Sequence, residues 1–347
     1  MDAKQSSNPG PQGKARRGTI IVGLACLSSG LLLMIWLPWP PLPHLSLFVT
    51  ALILGVVAMG RRRVWSGLAW VLLTIAAPPA LLLFGIAGPQ VADTSFRPPI
   101  ERPAYAAGQG PAVLVDEAHS NYHAVTGRYA PFAELLRRDG YVVNGSAVRF
   151  SPAALAAGDV LVAANAVAVP AADEVAAVRD WVAGGGSLLL IADHKPFNTG
   201  AKALGAAFGV RFADDAAVDR NDRNFRLVVR RSDRTLKEHA ITRGIDSVTT
   251  FYGCSFQLEA DGQPLLEFGP SVYVRQRTGV SSTSLQGHLQ GAVLQVGRGR
   301  VAAFGEAAMF TAQIADLDRH AMGMNAPIAR QNPQFLLNVM HWLTGVI

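Results

Sequence analysis

Five side chains that could do acid–base or metal chemistry stand within the eight positions from 116 to 123, directly after a short apolar run. They are Asp116, Glu117, His119, Asn121 and His123. Imidazole and carboxylate groups are the usual general acids and bases of enzymes, and they are also common zinc ligands. We therefore predict a functional site in this cluster.

Later apolar runs are also followed by polar residues. Asp193 and His194 come after the fourth strand-like run, Glu306 comes after a late one, and Asn325 lies in the loop beyond it. Ligands of open α/β sheets bind where the carboxyl ends of the strands meet. We therefore predict that the three clusters converge on one ligand-binding edge, without assigning a catalytic residue.

The histidines of the first cluster allow two interpretations. In one, His119 and His123, together with Asp193 or His194, hold a divalent metal that keeps an open position for water. Glu306 is a further candidate ligand, and Asp116 or Glu117 then serves as general base or as partner of a ligand. In the other interpretation, Asp116, His119 and Asn121 cap helices and bind loop amides, which fixes the edge of the sheet.

The elements that position these residues alternate between strand and helix. Apolar runs such as Ala112–Val115 and Ser187–Ile191 are typical of buried strands, and residues 129–138 show helical spacing of Phe132, Leu135 and Leu136. This alternation predicts a flavodoxin-like parallel sheet with helices on both faces. After Gly209 the pattern indicates a β-rich insertion, and a final helix is expected from Asn332 onward.

The N-terminal part is strongly apolar. Residues 18–37, 45–60 and 64–88 have the length or hydrophobicity of membrane-spanning helices, and basic residues stand before the first and between the second and third. We therefore predict a plasma-membrane protein, in contact with the lipid bilayer, whose N-terminus is cytoplasmic and whose C-terminal domain is extracytoplasmic. The predicted segments are a basic tail (1–17), three transmembrane helices (18–88), a linker (89–111) and an α/β domain (112–347).

Charge and cysteine content exclude some classes of protein. The sequence pI is about 9.6, but no nucleic-acid-binding motif accompanies it, so nucleic acid is not an expected partner. The chain has 2 cysteines, Cys26 and Cys254, and Cys26 falls in the first predicted span. No disulfide framework is therefore expected in the α/β domain, and Cys254 is interpreted as a buried structural thiol.

Three motifs carry a family resemblance. Residues 115–119, 297–306 and 332–342 are similar to bacterial membrane-anchored proteins of the DUF4350 type and to the auxiliary domain of gliding-type ABC transporters. The order of strands resembles the class I glutamine-amidotransferase-like fold. That fold carries a nucleophilic cysteine after its fourth strand, where this chain has Asp193 or His194.

The resemblance therefore implies an amidotransferase-like domain without glutamine hydrolysis. It implies a non-catalytic binding or scaffold role at the cell envelope, for a small polar ligand or for other membrane proteins such as a transporter complex. A metal-dependent hydrolase that uses the His/Asp/Glu cluster is the alternative.

Overall fold

A computed structural model describes residues 90–222, 226–276, 279–315 and 319–347. The helices of these residues are α1 (Ala130–Arg138), α2 (Pro152–Leu155), α3 (Ala172–Ala183), α4 (Thr199–Ala206) and α5 (Asn332–Leu343), and a 3-10 turn spans Ala308–Phe310. The strands are β1 (Val91–Ala92), β2 (Ala112–Asp116), β3 (Val142–Ser146), β4 (Val160–Ala164), β5 (Ser187–Ile191), β6 (Val210–Phe212), β7 (Ala217–Asp219), β8 (Leu227–Arg230), β9 (Ser247–Thr250), β10 (Phe256–Leu258), β11 (Gln263–Glu267), β12 (Val272–Gln276), β13 (Gly279–Ser284), β14 (Leu289–Val296), β15 (Gly299–Phe304), β16 (Ala312–Ala315) and β17 (His320–Gly323).

The main sheet has the order β3-β2-β4-β5-β15-β14-β10-β6, and β11 also pairs with β14. The first five strands in this order are parallel to one another, whereas β14, β10 and β6 continue the sheet in antiparallel fashion. Numbered along the chain, the parallel strands lie in the order 2-1-3-4-5, which places the topological switch point between β2 and β4. Smaller sheets are β1-β16-β17, β13-β12-β7 and β8-β9.

Apolar side chains cover both faces of the parallel strands. In β4 every residue is buried, and Val160 and Val162 belong to one core whereas Leu161 and Ala163 belong to the other. The first core also contains side chains of α1 and α5, and the second contains side chains of α2, α3 and α4. Strands buried on both faces are expected to be continuously apolar, as these are.

The register brings the polar residues after the strands to one edge. Ala164 of β4 pairs with Ile191 of β5, and Ile191 pairs with Phe304 of β15. Because these strands end level with one another, the residues that follow them leave the sheet side by side. Asn165, Asp193 and Glu306 therefore share the carboxyl edge with the loop after β2.

The predicted membrane architecture needs correction. The longest helices of the described residues have 12 residues, or about 18 Å, whereas a bilayer core requires about 20 apolar residues. No helix in the described ranges is long and apolar enough to cross a membrane. The spans predicted for residues 18–88 lie outside those ranges. On this finding we withdraw the three transmembrane helices from the fold class, and with them the plasma-membrane location and its cytoplasmic N-terminus.

What the structure supports is an α/β fold whose parallel sheet continues into antiparallel strands. Residues 91–92, inside the segment predicted as a linker, form β1 and pair with β16. Phe96, Ile100 and Tyr105 of the same segment pack against the first core.

Gly299 allows β15 to approach the end of α3 closely. A β-carbon at this buried position would lie 2.0 Å from the Val182 carbonyl oxygen and 2.1 Å from that of Gly186. Both contacts are with backbone atoms, so side-chain rearrangement cannot relieve them.

We expect Gly299→Ala to lower the free energy of unfolding by about 3 kcal/mol, because overpacking would displace β15. Gly269→Ala is the matched control, since its β-carbon would meet nothing nearer than a Thr235 methyl group at 3.4 Å. The control should stay within about 1 kcal/mol of the wild type. Urea denaturation measures both, and equal stability of the two variants would contradict the close approach.

Candidate ligand-binding edge

His119 lies between two carboxylates at the end of β2. Its Nδ1 is 2.9 and 3.0 Å from the two oxygens of Asp116, and its Nε2 is 3.1 Å from Oε1 of Glu174. All three side chains are buried. We call this group the histidine clamp. It joins the loop after β2 to the first turn of α3.

Backbone and side-chain contacts extend the clamp to neighbouring segments. The His119 carbonyl accepts hydrogen bonds from the amides of Val167 and Ala168 in the loop after β4. Glu174 accepts from the backbone amides of Phe150 and Ala171, and from the Arg149 guanidinium at 2.9 Å. The clamp thus ties together the segments that follow β2, β3 and β4.

The clamp favours a charged imidazole. Burial alone disfavours the charged ring, but Asp116 and Glu174 outweigh it and raise the pKa of His119 above its ordinary value of 6.5. Burial also opposes ionisation of Glu174, yet the Ala171 amide and His119 lower the pKa of its carboxyl group. A protonated ring donates one hydrogen bond to each carboxylate, so neither nitrogen of His119 retains a lone pair for a metal.

A second polar group surrounds Asp193, after β5. Oδ1 of Asp193 accepts from the backbone amide and from Nδ1 of His194, at 2.7 Å each, whereas Oδ2 has only the Ala307 amide at 3.4 Å. The oxygens of Glu306 accept from the amides of Ala308 and Met309 at 2.6 and 2.8 Å. Glu306 therefore caps the 3-10 turn.

The pKa values of the two buried carboxyl groups are shifted in opposite directions. Burial, and then the charge of Asp193, raise the pKa of Glu306 well above its usual range. Burial opposes ionisation of Asp193 as well, but the hydrogen bonds from His194 prevail and lower its pKa. The environment of the edge thus favours the charge on Asp193 over a charge on Glu306.

His123 and Arg128, on the loop between β2 and α1, interact electrostatically with Asp193. Burial lowers the pKa of His123 to about 3, so its ring is neutral. His123 packs edge-on against Tyr129, and among the described residues its buried Nδ1 has no hydrogen-bond partner. Arg128 contacts the Tyr122 ring, 5.3 Å from its centroid, and makes no hydrogen bond or ion pair within 4.0 Å to another described residue.

Partly exposed rings connect these groups across the edge, in a row that we call the aromatic strip. Its members, in order of contact, are Arg128, Tyr122, Phe197, His194, Tyr252 and Arg275. Successive ring centroids are 4.5, 5.4 and 4.6 Å apart. Tyr252 has a φ of 92°, a backbone conformation that a non-glycine residue rarely adopts and that is frequent at functional sites.

The structure divides the predicted site residues among four places. Asp116 and His119 belong to the clamp, and the adjacent Asn121 amide donates to Asp116 and to the Ala164 carbonyl. Glu117 holds the loop through the Val125 amide. His123, Asp193, His194 and Glu306 form the second group. Asn325 lies elsewhere, where its amide donates to Asp93 and to the Gln313 carbonyl.

No group of three or more His, Cys, Asp or Glu side chains among the described residues is arranged to hold a metal ion. The structure also adds residues that the sequence analysis did not select: Glu174, Arg128, Tyr122 and Tyr252. Glu174 had one readable signal, an acidic residue in the first turn of a predicted helix.

The fold and this edge define an α/β domain of the doubly wound kind, with its polar groups at the switch point and along the carboxyl edge. The chain belongs to the family described as "Domain of unknown function (DUF4350)", whose model matches residues 129–325. The predicted DUF4350 resemblance is therefore confirmed. No curated protein matches the sequence significantly.

Solved structures of low sequence identity resemble the chain to different degrees. The "mmIFT52 N-terminal domain" has 15% identity and a TM-score of 0.53, over 67% of this chain and 97% of that one. A cytoplasmic protein from Salmonella typhimurium LT2 has 15% identity and a TM-score of 0.38, over 67% and 99% of the two chains. Another cytoplasmic protein from Salmonella typhimurium has 12% identity and a TM-score of 0.41, also over 67% and 99%. Only the first score is high enough to show a shared fold, and it shows nothing further.

We expect Glu174→Gln to lower the free energy of unfolding by about 3 kcal/mol at about pH 6, because it removes one charge from a buried, hydrogen-bonded group. Asp180→Asn is the control on the same helix, since Asp180 pairs with Arg179 at the surface and should contribute at most about 0.5 kcal/mol.

The pH dependence has a defined sign. Folding raises the pKa of His119 above 6.5. The stabilisation that its charged ring provides is therefore complete below pH 6.5, and it is lost as the pH rises through the pKa of the folded protein. The effect of Glu174→Gln should therefore be smaller at about pH 9 than at about pH 6. Urea denaturation at both pH values measures it, and an effect no larger than that of Asp180→Asn would contradict the clamp.

Proposed function

We propose that this protein is a non-catalytic binding protein that takes a small polar ligand at the carboxyl edge of its parallel sheet. In this proposal the domain is an amidotransferase-like fold without the nucleophile, related to the auxiliary domains of gliding-type ABC transporters. One observation carries the proposal: Asp193 stands in the turn after β5, and both bonds to its Oδ1 come from the neighbouring His194. This turn offers a fixed acceptor and no thiol.

The remaining candidate nucleophiles support the same conclusion. Cys254 is completely buried, and burial together with the charge of Asp193 raises the pKa of its thiol. A thiol in that state is neither accessible nor ionised, as attack on a substrate requires. Ser255 is also buried, and its hydroxyl donates to Asp215 at 2.5 Å.

The contacts of His119 argue against the alternative, a metal-dependent hydrolase, in which His119 would be a metal ligand. Both nitrogens of His119 contact carboxylates, and release of either would leave a buried charge without its partner. Asp193 and Glu306 are the candidate acid–base pair of such a hydrolase. Both carboxyl oxygens of Glu306 already accept hydrogen bonds from backbone amides. These contacts favour a structural use of the ionisable groups.

Unpartnered polar atoms favour a small ligand over a flat protein partner. Among the described residues, His123 Nδ1, Asn165 Oδ1 and Asn198 Oδ1 are buried without a hydrogen bond. Tyr122, which precedes His123, donates its amide to the Asn165 carbonyl, and its ring contacts Phe197, which precedes Asn198. Buried polar atoms are normally hydrogen-bonded, so each of these atoms is a candidate contact for a ligand or water.

We expect the full-length protein to release no product from glutamine, or from amide, ester and phosphoester substrates, above the rate of its Asp193→Asn variant. The assays should be run with and without Zn²⁺ and Mg²⁺. Because the edge holds no free nucleophile and no histidine with a free lone pair in the clamp, added metal should not create activity. Turnover by the wild type that disappears in Asp193→Asn would contradict the proposal.

Thiol labelling provides a second readout. In a Cys26→Ser background, Cys254 is the remaining thiol of the chain. Iodoacetamide should modify it after denaturation but not in the native protein, as measured by mass spectrometry. Rapid native labelling would show an accessible thiolate and would reopen nucleophilic catalysis.

A further inference from the structure

We propose that this edge binds a small zwitterion of the α-amino-acid class, with the ligand carboxylate on Arg128 and the ligand ammonium on Asp193. The inference rests on the proposed function, since it names the ligand chemistry of the same edge. It is carried by two opposite charges, Arg128 and Asp193, that interact electrostatically without a direct ion pair, and by the buried Nδ1 of His123, which has no hydrogen-bond partner among the described residues.

Arg128 supplies the anion-binding half. Its guanidinium group has five N–H donors, and none of them binds a described residue. The side chain is half-buried, and burial lowers its pKa. A cation in such a place is destabilised unless a negative group pairs with it. A carboxylate matches the fork of a guanidinium group with two parallel hydrogen bonds.

Asp193 supplies the cation-binding half. Its Oδ1 accepts from the amide and Nδ1 of His194, whereas among the described residues its Oδ2 has a single long contact, at 3.4 Å. An ammonium group would give Oδ2 a charged donor. Asp193 and Arg128 interact electrostatically, yet no nitrogen–oxygen distance between them is within 4.0 Å. The protein thus keeps the two charges apart.

His123 interacts electrostatically with both charges, and its neutral ring compensates neither. Its side chain is 3% exposed, and its Nδ1 has no hydrogen-bond partner among the described residues. Buried polar atoms are normally hydrogen-bonded, so this nitrogen is an independent sign that a ligand binds here. Asn165 Oδ1 is another, on a residue held at a φ of 48° at the switch point. An amino acid offers donors and acceptors for both atoms.

Arg128 and Asp193 bring opposite charges to this edge, and burial lowers the pKa of His123 to about 3, so that its ring is neutral. A ligand that is only anionic would meet Asp193, and one that is only cationic would meet Arg128. A zwitterion is attracted by both.

The aromatic strip specifies the ligand side chain. Tyr122 lies under Arg128, and Phe197 and His194 continue the row toward Tyr252. Partly exposed rings at such spacing stack well on another ring. We therefore assign an aromatic amino acid as the preferred ligand.

Calorimetric titration of the full-length protein tests the assignment with three matched probes: L-phenylalanine, phenethylamine, which lacks the carboxylate, and 3-phenylpropionate, which lacks the ammonium. We expect L-phenylalanine to bind and each analogue to bind about 10-fold to 100-fold more weakly, since each loses a hydrogen-bonded charge. Equal binding of 3-phenylpropionate would identify a simple anion site and overturn the proposal. So would failure of every common amino acid to bind at millimolar concentration.

Variants locate the site. Arg128→Met should weaken L-phenylalanine binding by about 10-fold or more, and Arg128→Lys should retain part of it, because the charge stays but the fork is lost. Arg179→Met is the control, an exposed arginine paired with Asp180. Unchanged binding in Arg128→Met, with native circular dichroism, would place the ligand elsewhere.

The outcomes separate the two proposals. Absence of amino-acid binding in a protein without turnover would remove the zwitterion and leave the non-catalytic assignment intact. Turnover that depends on Asp193 would remove the proposed function whatever binds.

Discussion

The position of the loop between β2 and α1 depends on one buried interaction, the imidazole of His119 between Asp116 and Glu174. Asp116 and His119 are three residues apart, whereas Glu174 lies 55 residues beyond His119, so the contact joins the end of β2 to the start of α3. Burying three ionisable groups is costly unless each is paired and hydrogen-bonded, and here every charged oxygen of Asp116 and Glu174 has a donor. Loss of one partner therefore disturbs several loops at once.

The contacts of the clamp also affect the other half of the edge. Because Asp116 and Glu174 both bind His119, neither carboxylate pairs with the neighbouring His123 or Arg128. They face Asp193, whose bonds come mainly from His194. The result is an edge with one satisfied charge cluster and one unsatisfied cluster beside it. In the function that we propose, this division leaves the second cluster for ligand binding while His119 remains bound to its two carboxylates.

Much of the fold and part of the site could be predicted from the sequence. Continuous apolar runs indicate strands buried on both faces, and parallel strands that end level necessarily bring Asp193 and Glu306 together. Glu174 and Arg128 could not be predicted, because their roles arise from contacts across the fold and no spacing marks them. Hydropathy of residues 18–88 predicted membrane spans, but no helix of the described residues is long and apolar enough to cross a membrane, and residues 18–88 lie outside the described ranges. Asn325 follows a strand of a different sheet, so its position after Glu306 along the chain was misleading.

The electrostatic division of the edge is tested most directly by a pH titration of the histidine side chains by NMR. The resonances can be assigned with His119→Gln and His123→Gln variants. We expect His119 to remain protonated above pH 6.5 and His123 to remain neutral until the pH falls to about 3. A His119 ring that is neutral below pH 6.5, or a His123 ring that titrates near pH 6.5 in the folded protein, would contradict this division of the edge.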